Sequence, residues 1–259
     1  MTSSLVGSEM CIRDRYDDIH ITNCYVDNVS RAGIVVGYTY QNAAFNGQQI
    51  SDETVKQKGH TNILIEGNYV KNAGNDAICV MYAYQPLVQY NISDGAGQDL
   101  DDNYEGYWQS FCAAIWPWKT KQAVFQYNEA FDTVGPGNGD GQAWDIDWSD
   151  STVYQYNYSH GNGGGAMLVC LEQAYNGYFR YNISQNDLKS FLTLQGNHNA
   201  HFYNNVFYVD GDLQTAVHHP EAGKRSGSAE FKNNIFYNAS SQKWLVGAHE
   251  AQPTWRPAG

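Results

Sequence analysis

One short pattern recurs along almost the whole chain: an apolar or aromatic residue, two variable residues, an asparagine, and usually another apolar residue. Examples are LIEGNYVKN at 64–72 and VYQYNYSHG at 153–161. The asparagine position is held first by Cys24 and then by Asn68, Asn91, Asn128, Asn157, Asn182, Asn205 and Asn234. Successive spacings are 44, 23, 37, 29, 25, 23 and 29 residues, a basal period near 23 with occasional insertions. Such a period indicates a solenoid of stacked copies of one unit.

A second strand follows each asparagine position, and in copies without an insertion it begins nine residues later. Every second side chain of a strand points to the same face of the sheet. The apolar residues at these alternate positions predict two buried columns, each made of equivalent residues from successive coils. The first column is Ile34, Ile78, Ala113, Trp144, Met167 and Leu192, and the second is Val36, Val80, Ile115, Ile146, Val169 and Leu194. The same alternation of side chains predicts that Trp144 and Trp148 face inward and that Trp116 and Trp118 face outward. Insertions at about 40–61 and 94–110 are expected to form loops.

A unit this short cannot bury its own apolar face, so copies must stack, with equivalent residues about 4.8 Å apart. At that distance asparagine amides hydrogen-bond from coil to coil. The pattern is similar to that of the right-handed parallel β-helix superfamily, whose pectate-lyase-like fold has asparagine ladders and is shared by several glycoside hydrolase families. The resemblance implies an all-β, right-handed parallel β-helix solenoid of about seven coils. We expect residues 16–259 to form this single domain, as a fragment of a longer β-helix.

Residues 1–15, MTSSLVGSEMCIRDR, do not share the pattern that follows. They show neither strand alternation nor a helical stripe, and they lack the basic start and apolar run of a signal peptide. The string SEMCIRDR resembles translated sequencing-adapter sequence. We therefore expect a non-native or disordered segment here, and no capping helix over Ile21, Ile34 and Val36.

Charge and composition narrow the range of partners. The 259 residues include 15 Lys and Arg against 27 Asp and Glu, a net charge of −12, which disfavours nucleic acid because phosphate binding needs clustered cations. No run of 18 apolar residues occurs, so we expect no membrane span. Five cysteines without a CxxC motif suggest neither a zinc site nor a disulfide framework. We expect a monomer, secreted or periplasmic, that acts on a polysaccharide or oligosaccharide.

The outward columns of the second strand carry the candidate chemistry. Asp145 and Asp147 lie on one strand, about 6.6 Å apart at Cα, and Glu172 follows one coil later, about 8 Å from Asp147. Carboxyl groups at such positions can converge to roughly 5–9 Å, the range that glycosidases use. Like charges this close raise at least one pKa, which favours a protonated general acid beside an ionised partner. We therefore predict that Asp145, Asp147 and Glu172 are catalytic.

Neighbouring side chains suit carbohydrate binding. An outward Trp offers an apolar ring to the C–H face of a sugar, so Trp116 or Trp118 is a candidate stacking platform. The alternative for Trp116 is that the insertion at about 94–110 covers it and that it belongs to a core. By the nine-residue count, Trp116, Asp147, Gln195 and His218 share one outward column. The polar groove candidates in the last coils are Thr193, Gln195, Asn197, His198 and His218.

The segment DGQAWDIDWSDSTVYQYNYSHGNGGGAMLVCLE at 140–172 resembles the acidic-strand region of β-helix glycoside hydrolases, including their xylosidase and fucosidase branches. Those enzymes use paired acidic residues on neighbouring coils. The resemblance implies that Asp145 or Asp147 is the nucleophile or base and that Glu172 is the general acid. It leads us to expect a glycoside hydrolase without a cofactor, acting on a plant or algal polysaccharide or its oligosaccharides.

Two other functions remain open at this point. A pectate-type polysaccharide lyase uses Ca²⁺ together with Arg or Lys, and the outward columns contain neither Arg nor Lys. This counts against a lyase unless Ca²⁺ bridges enzyme and substrate. A Ca²⁺ site made from Asp145 and Asp147 is also the main alternative to a catalytic role of these residues, since calcium prefers oxygen ligands. A non-catalytic carbohydrate-binding β-helix would need the aromatic residues but no convergent carboxyl groups.

Overall fold

The computed structural model describes residues 15–37, 45, 50–99, 111–135, 140–170, 173–195, 199–211, 213, 215–218, 228–241 and 245–246. Within these residues the strands form three parallel sheets of eight strands each. The chain visits the sheets in turn, so that each coil adds one strand to sheet A, one to sheet B and one to sheet C.

Sheet A contains Asp17–Thr22 (β1), Thr61–Glu66 (β4), Leu87–Gln89 (β7), Val124–Gln126 (β10), Val153–Gln155 (β13), Tyr178–Arg180 (β16), Ala200–Tyr203 (β19) and Ala229–Lys232 (β22). Sheet B contains Tyr25–Val29 (β2), Tyr69–Ala73 (β5), Ile92–Asp94 (β8), Glu129–Phe131 (β11), Tyr158–His160 (β14), Ile183–Gln185 (β17), Val206–Val209 (β20) and Ile235–Asn238 (β23). Sheet C contains Ile34–Val36 (β3), Ile78–Met81 (β6), Ala113–Trp118 (β9), Gln142–Asp147 (β12), Gly165–Cys170 (β15), Ser190–Leu194 (β18), Thr215–His218 (β21) and Leu245–Val246 (β24). This is the predicted right-handed parallel β-helix, with eight described coils where about seven were expected.

The asparagine ladder lies at the turn from sheet A to sheet B. Each Oδ1 accepts hydrogen bonds from the ladder residue one coil earlier. For Asn157 the donors are the backbone N–H and Nδ2 of Asn128, at 2.9 and 3.1 Å. The Nδ2 of Asn157 donates to the Phe125 carbonyl and to Asn182 Oδ1, both at 3.0 Å. The ladder therefore provides partners for buried backbone groups at every turn, and the predicted column is confirmed from Cys24 to Asn234.

Alternate residues of sheet C form the buried columns, but the register of β9 differs from the prediction. Ile115, and not Ala113, pairs with Ile78 and Trp144. Ala113 instead packs in a second apolar cluster outside the main core. The predicted register of β9 was wrong because the insertion before this strand changes the number of residues in its coil. A shift of two residues preserves parity, so Ile115 still faces inward and Trp116 outward.

The second apolar cluster covers the outer face of sheet C near β6 and β9. Its buried members are Phe45, Val55, Cys79, Met81, Tyr82, Ala113 and Trp116. Val55 belongs to the helix Asp52–Lys58 (α1), and the Ser51 hydroxyl caps this helix by accepting from the Thr54 N–H at 3.1 Å. The insertion at 40–61 was expected to be a loop, and a helix of seven residues is too short for a helical period to show.

Among the residues placed in the structure, no helix is long and apolar enough to cross a membrane. At the N-terminal end of the described solenoid, Ile19 and Ile21 are partly buried and pack against the core, each paired with an isoleucine of β4. Residues 1–14 lie outside the described residues, so the expectation for that segment stays a prediction.

Candidate active site

Asp145 and Asp147 lie on β12 and project from the outer face of sheet C, as predicted. Asp147 pairs with Trp118 of β9 on one side and with Cys170 of β15 on the other, while Asp145 pairs with Leu168. One carboxyl oxygen of each aspartate and the Cys170 Sγ lie within 4.8 Å of one another. The two aspartates are only 6% and 9% exposed, so the carboxyl groups share a small site with little access to water.

Burial raises the pKa of both carboxyl groups well above the usual range of an aspartate. The negative charges of Asp147 and Asp140 add to this effect at Asp145. At Asp147, the charge of Asp140 also raises the pKa. A hydrogen bond with Cys170 and the positive charge of Lys119 lower the pKa of Asp147 and so oppose the shift. Because the carboxyl groups interact, they titrate together, and the cluster retains a proton at pH values where an isolated aspartate is ionised.

Each of the two aspartates has a buried Oδ1 that finds no hydrogen-bond donor among the described residues. Buried polar atoms in proteins are nearly always paired, so an unpaired acceptor marks a position where water or a ligand binds. The two oxygens therefore present a site that suits a hydrogen-bond donor such as a hydroxyl group.

A third carboxyl group, Asp140, acts electrostatically on both aspartates and was not among the sequence candidates. It lies just before β12 and is half-buried. Burial raises its pKa to about 6, and the charge of Lys189 partly opposes that shift. Sequence reasoning missed Asp140 because side-chain parity applies only within a strand. The sequence did contain one signal for Asp140, because this residue lies in a glycine-rich segment two residues before the strand that carries Asp145 and Asp147.

Two tryptophans of β9 lie beside the carboxyl groups. Trp116 is 7% exposed and packs in the second apolar cluster with Phe45 and Val55, so its ring is largely covered. Trp118 is half-buried, pairs with Asp147, and meets the Trp116 ring edge-on with 6.3 Å between centroids. Of the two predicted sugar platforms, Trp118 has the more accessible ring. Residues 100–110, part of the insertion that would cover Trp116 in the alternative interpretation, lie outside the described residues.

The prediction that Trp148 faces inward was wrong. Trp148 follows the last residue of β12 and has a φ of 51°, in the left-handed region, which interrupts the alternation of side chains. Its ring packs against Trp118 on the outer side, with 5.7 Å between centroids. Lys119 holds the equivalent position one coil earlier, with a φ of 53°, and its backbone N–H donates to the Asp147 carbonyl at 3.2 Å. Trp144 does face the core, as predicted.

Thr193 and Gln195 lie two strands away from the aspartates, on the far side of β15. Thr193 pairs with Leu168, which itself pairs with Asp145. The Cys170 Sγ lies 3.7 Å from Gln195 Oε1 and also bonds to the Asp147 carboxyl group, so its single hydrogen has two alternative acceptors and Gln195 lies next to the carboxyl pair. Both candidates therefore border the site.

His218 pairs with Thr193 and does not share a column with Gln195, so its predicted position was wrong by two residues. The reason is that the stretch from the asparagine position to sheet C is longer in this coil than in the coil before it. Glu172, Asn197 and His198 lie outside the described residues, and their roles stay predictions.

The same cluster carries metal-ligating atoms on Asp145, Asp147 and Cys170. Ca²⁺ takes about six to eight oxygen ligands. Two carboxyl groups fall short of that number, and a thiol is a poor ligand for calcium. The described residues therefore do not assemble a calcium shell at this position.

No protein-family model matches the chain. The chain is 42% identical to the lacto-N-biosidase of Bifidobacterium longum subsp. longum, over 93% of this chain and 16% of that protein. It is also similar to two solved structures of the GH136 lacto-N-biosidase from Eubacterium ramulus, the native protein and a selenomethionine derivative. Both have a TM-score of 0.76 and 40% identity over 85% of this chain and 36% of theirs. The chain thus spans a small part of the curated relative, and over most of its own length it is similar to glycoside hydrolases.

Proposed function

We propose that this chain carries the catalytic carboxyl groups of a glycoside hydrolase that acts on oligosaccharides. The observation that carries the proposal is the pair Asp145 and Asp147, two buried carboxyl groups with raised pKa and unpaired oxygens beside the ring of Trp118. Similarity to lacto-N-biosidases supports this class of reaction and gives no support to a plant or algal substrate or to a lyase.

Glycoside hydrolysis needs one protonated carboxyl group as general acid and one carboxylate as nucleophile or base. Burial raises the pKa of Asp147, but the charge of Lys119 and the bond with Cys170 both oppose that shift. At Asp145, neighbouring carboxylates add to the shift. We therefore assign the nucleophile or base to Asp147. Asp140, with a pKa of about 6 and partial exposure, suits the general acid, and Asp145 holds the proton of the cluster if Asp140 does not. Glu172 stays a candidate for the acid from the sequence alone.

The substrate that we propose is an oligosaccharide with a lacto-N-biose unit, the disaccharide in the name of the similar proteins. The apolar face of one of its sugar rings would stack on Trp118, whose ring is half-buried and lies next to Asp147. Hydroxyl groups of the sugar would donate to the unpaired oxygens of Asp145 and Asp147.

The test is hydrolysis of a chromogenic lacto-N-bioside by the purified chain and by three variants, Asp147→Asn, Asp145→Asn and Asp140→Asn. Each change preserves the shape of the side chain and removes its ability to donate a proton or to act as a carboxylate. Loss of a catalytic carboxyl group is expected to lower kcat by about 10³-fold or more with little change in KM. Asp27→Asn is the matched control, because Asp27 is an exposed carboxylate on sheet B, away from the site.

Full activity in all three site variants would contradict the proposal. Binding of lacto-N-biose by the parent chain, measured by calorimetry, without any hydrolysis would favour the non-catalytic carbohydrate-binding β-helix. Products with ultraviolet absorbance, formed only with added Ca²⁺ on a uronate polymer, would favour the lyase.

A further inference from the structure

Lys119 is a buried cation beside the candidate site, and it is 6% exposed, which is unusual for a lysine. Its Nζ donates to the Phe45 carbonyl at 3.0 Å. The same atom lies 4.8 Å from the ring centroid of Trp148 and 5.5 Å from that of Trp118. The ammonium group is therefore held between two indole rings and a backbone oxygen, an arrangement that fixes all three partners.

We propose that Lys119 is a positioning residue of this site, which holds the Trp118 ring beside Asp147 and supplies a positive charge that opposes protonation of the Asp147 carboxyl group. Its role in hydrolysis rests on the proposed function, whereas its effect on Asp147 can be measured without any turnover.

The geometry supports the positioning role through the backbone as well as the side chain. Lys119 directly follows Trp118, and its own N–H donates to the carbonyl of Asp147 at 3.2 Å. Trp148, the residue after Asp147, packs on Trp118 with an angle of 40° between the rings. The cation lies against both rings, so it connects the end of β9 to the end of β12 on the outer side of the sheet.

The electrostatic role follows from the signs of the surrounding charges. The other titratable groups that act on or near Asp147 are all acidic: Asp140, Asp145, Cys79 and Cys170. In the described part of the chain, Lys119 is the one cation whose charge lowers the pKa of Asp147. The interaction is mutual, since burial lowers the pKa of Lys119 and the charge of Asp147 raises it.

The experiment follows the side-chain carboxyl signal of Asp147 by ¹³C NMR as a function of pH, with the signal assigned by its loss in Asp147→Asn. Lys119→Met is expected to move the titration of Asp147 to higher pH, and Lys119→Arg is expected to preserve it. Lys56→Met is the matched control, because Lys56 makes a similar contact with an aromatic ring, at 4.6 Å from the centroid of Tyr84, on helix α1. If Lys119→Met does not fold, Lys119→Gln removes the charge and retains a donor for the Phe45 carbonyl.

On a lacto-N-bioside, Lys119→Met is expected to lower kcat/KM by about tenfold or more, with the acidic limb of the pH profile moved upward and recovered in Lys119→Arg. An Asp147 titration that is the same in Lys119→Met, Lys119→Gln and the parent would overturn the inference. The two proposals fail separately: absence of hydrolysis by the parent counts against the proposed function, and only the titration decides the role of Lys119.

Discussion

Truncation of one ladder side chain, Asn157→Ala, is expected to destabilise the solenoid. Asn157 is 2% exposed, and its amide bonds to groups on the coil before its own and on the coil after it. After truncation, Asn128 Nδ2 keeps its bond to the Val88 carbonyl at 3.0 Å. Asn182 Oδ1 still accepts from the backbone N–H of residue 157 at 2.9 Å. The losses are therefore the partner of the buried backbone N–H of Asn128, the partner of the second Asn128 Nδ2 hydrogen, and one donor to the Phe125 carbonyl.

The size of the effect follows from these three losses. Each buried N–H without a partner costs about 1–3 kcal/mol, and the lost bond to the Phe125 carbonyl costs about 1 kcal/mol. We expect Asn157→Ala to lower the free energy of unfolding by about 3–7 kcal/mol, a large part of the roughly 5–15 kcal/mol of a typical domain.

The assay is urea denaturation followed by circular dichroism and tryptophan fluorescence, with a comparison of midpoints and slopes. Asn234→Ala is the matched control, because Asn234 makes the same bonds to Asn205 and the Phe202 carbonyl but is only half-buried, so water can replace its amide. We expect a loss below about 1 kcal/mol there. Equal losses in the two variants would refute the argument that burial of the ladder determines its contribution.

Three further outcomes are expected. Lys121→Met leaves the buried carboxylate of Asp150 without the ammonium that lies 2.6 Å away, so the free energy of unfolding in urea should fall by about 3–5 kcal/mol. Burial raises the pKa of Asp187, so the folded state holds that proton to higher pH than the unfolded chain. Its contribution to stability is then greatest at low pH and falls as the pH rises through the folded pKa, and urea titrations at several pH values should show this fall in the parent and not in Asp187→Asn. Trp118→Ala should raise KM for a lacto-N-bioside by about tenfold and leave kcat within about twofold, whereas an equal loss in kcat would argue against a binding platform.

The ladder and the acidic strand could both be predicted because each depends on a local rule. Asn157 and Asn182 recur at the coil period, and stacking then brings their amides together. Asp145 and Asp147 are two residues apart, and the two-residue period of a strand places them on one face without knowledge of the neighbours. Thr193 was placed correctly in the column of Asp145, because Leu168 and Thr193 lie the same number of residues after their asparagine positions.

The predictions failed where the length or the backbone conformation of the segment between two strands determines the position of a residue. Ala113 and His218 were misplaced because added residues before β9 and β21 change the register of the coil. Trp148 was misplaced because a left-handed residue ends the alternation. Asp140 was not found because it precedes the strand, and its pKa of about 6 depends on burial that only the assembled coils create.

The sequence by itself determined the period, the asparagine ladder and the side of the sheet on which each strand residue projects, because these follow from side-chain geometry within one coil. The tertiary structure decided which side chains meet across coils. It brought the Lys119 ammonium against the rings of Trp118 and Trp148, and it paired Trp118 with Asp147. The physical reason is that contacts between coils depend on loop lengths and backbone angles, and that the charge state of a carboxyl group depends on how completely its neighbours exclude water.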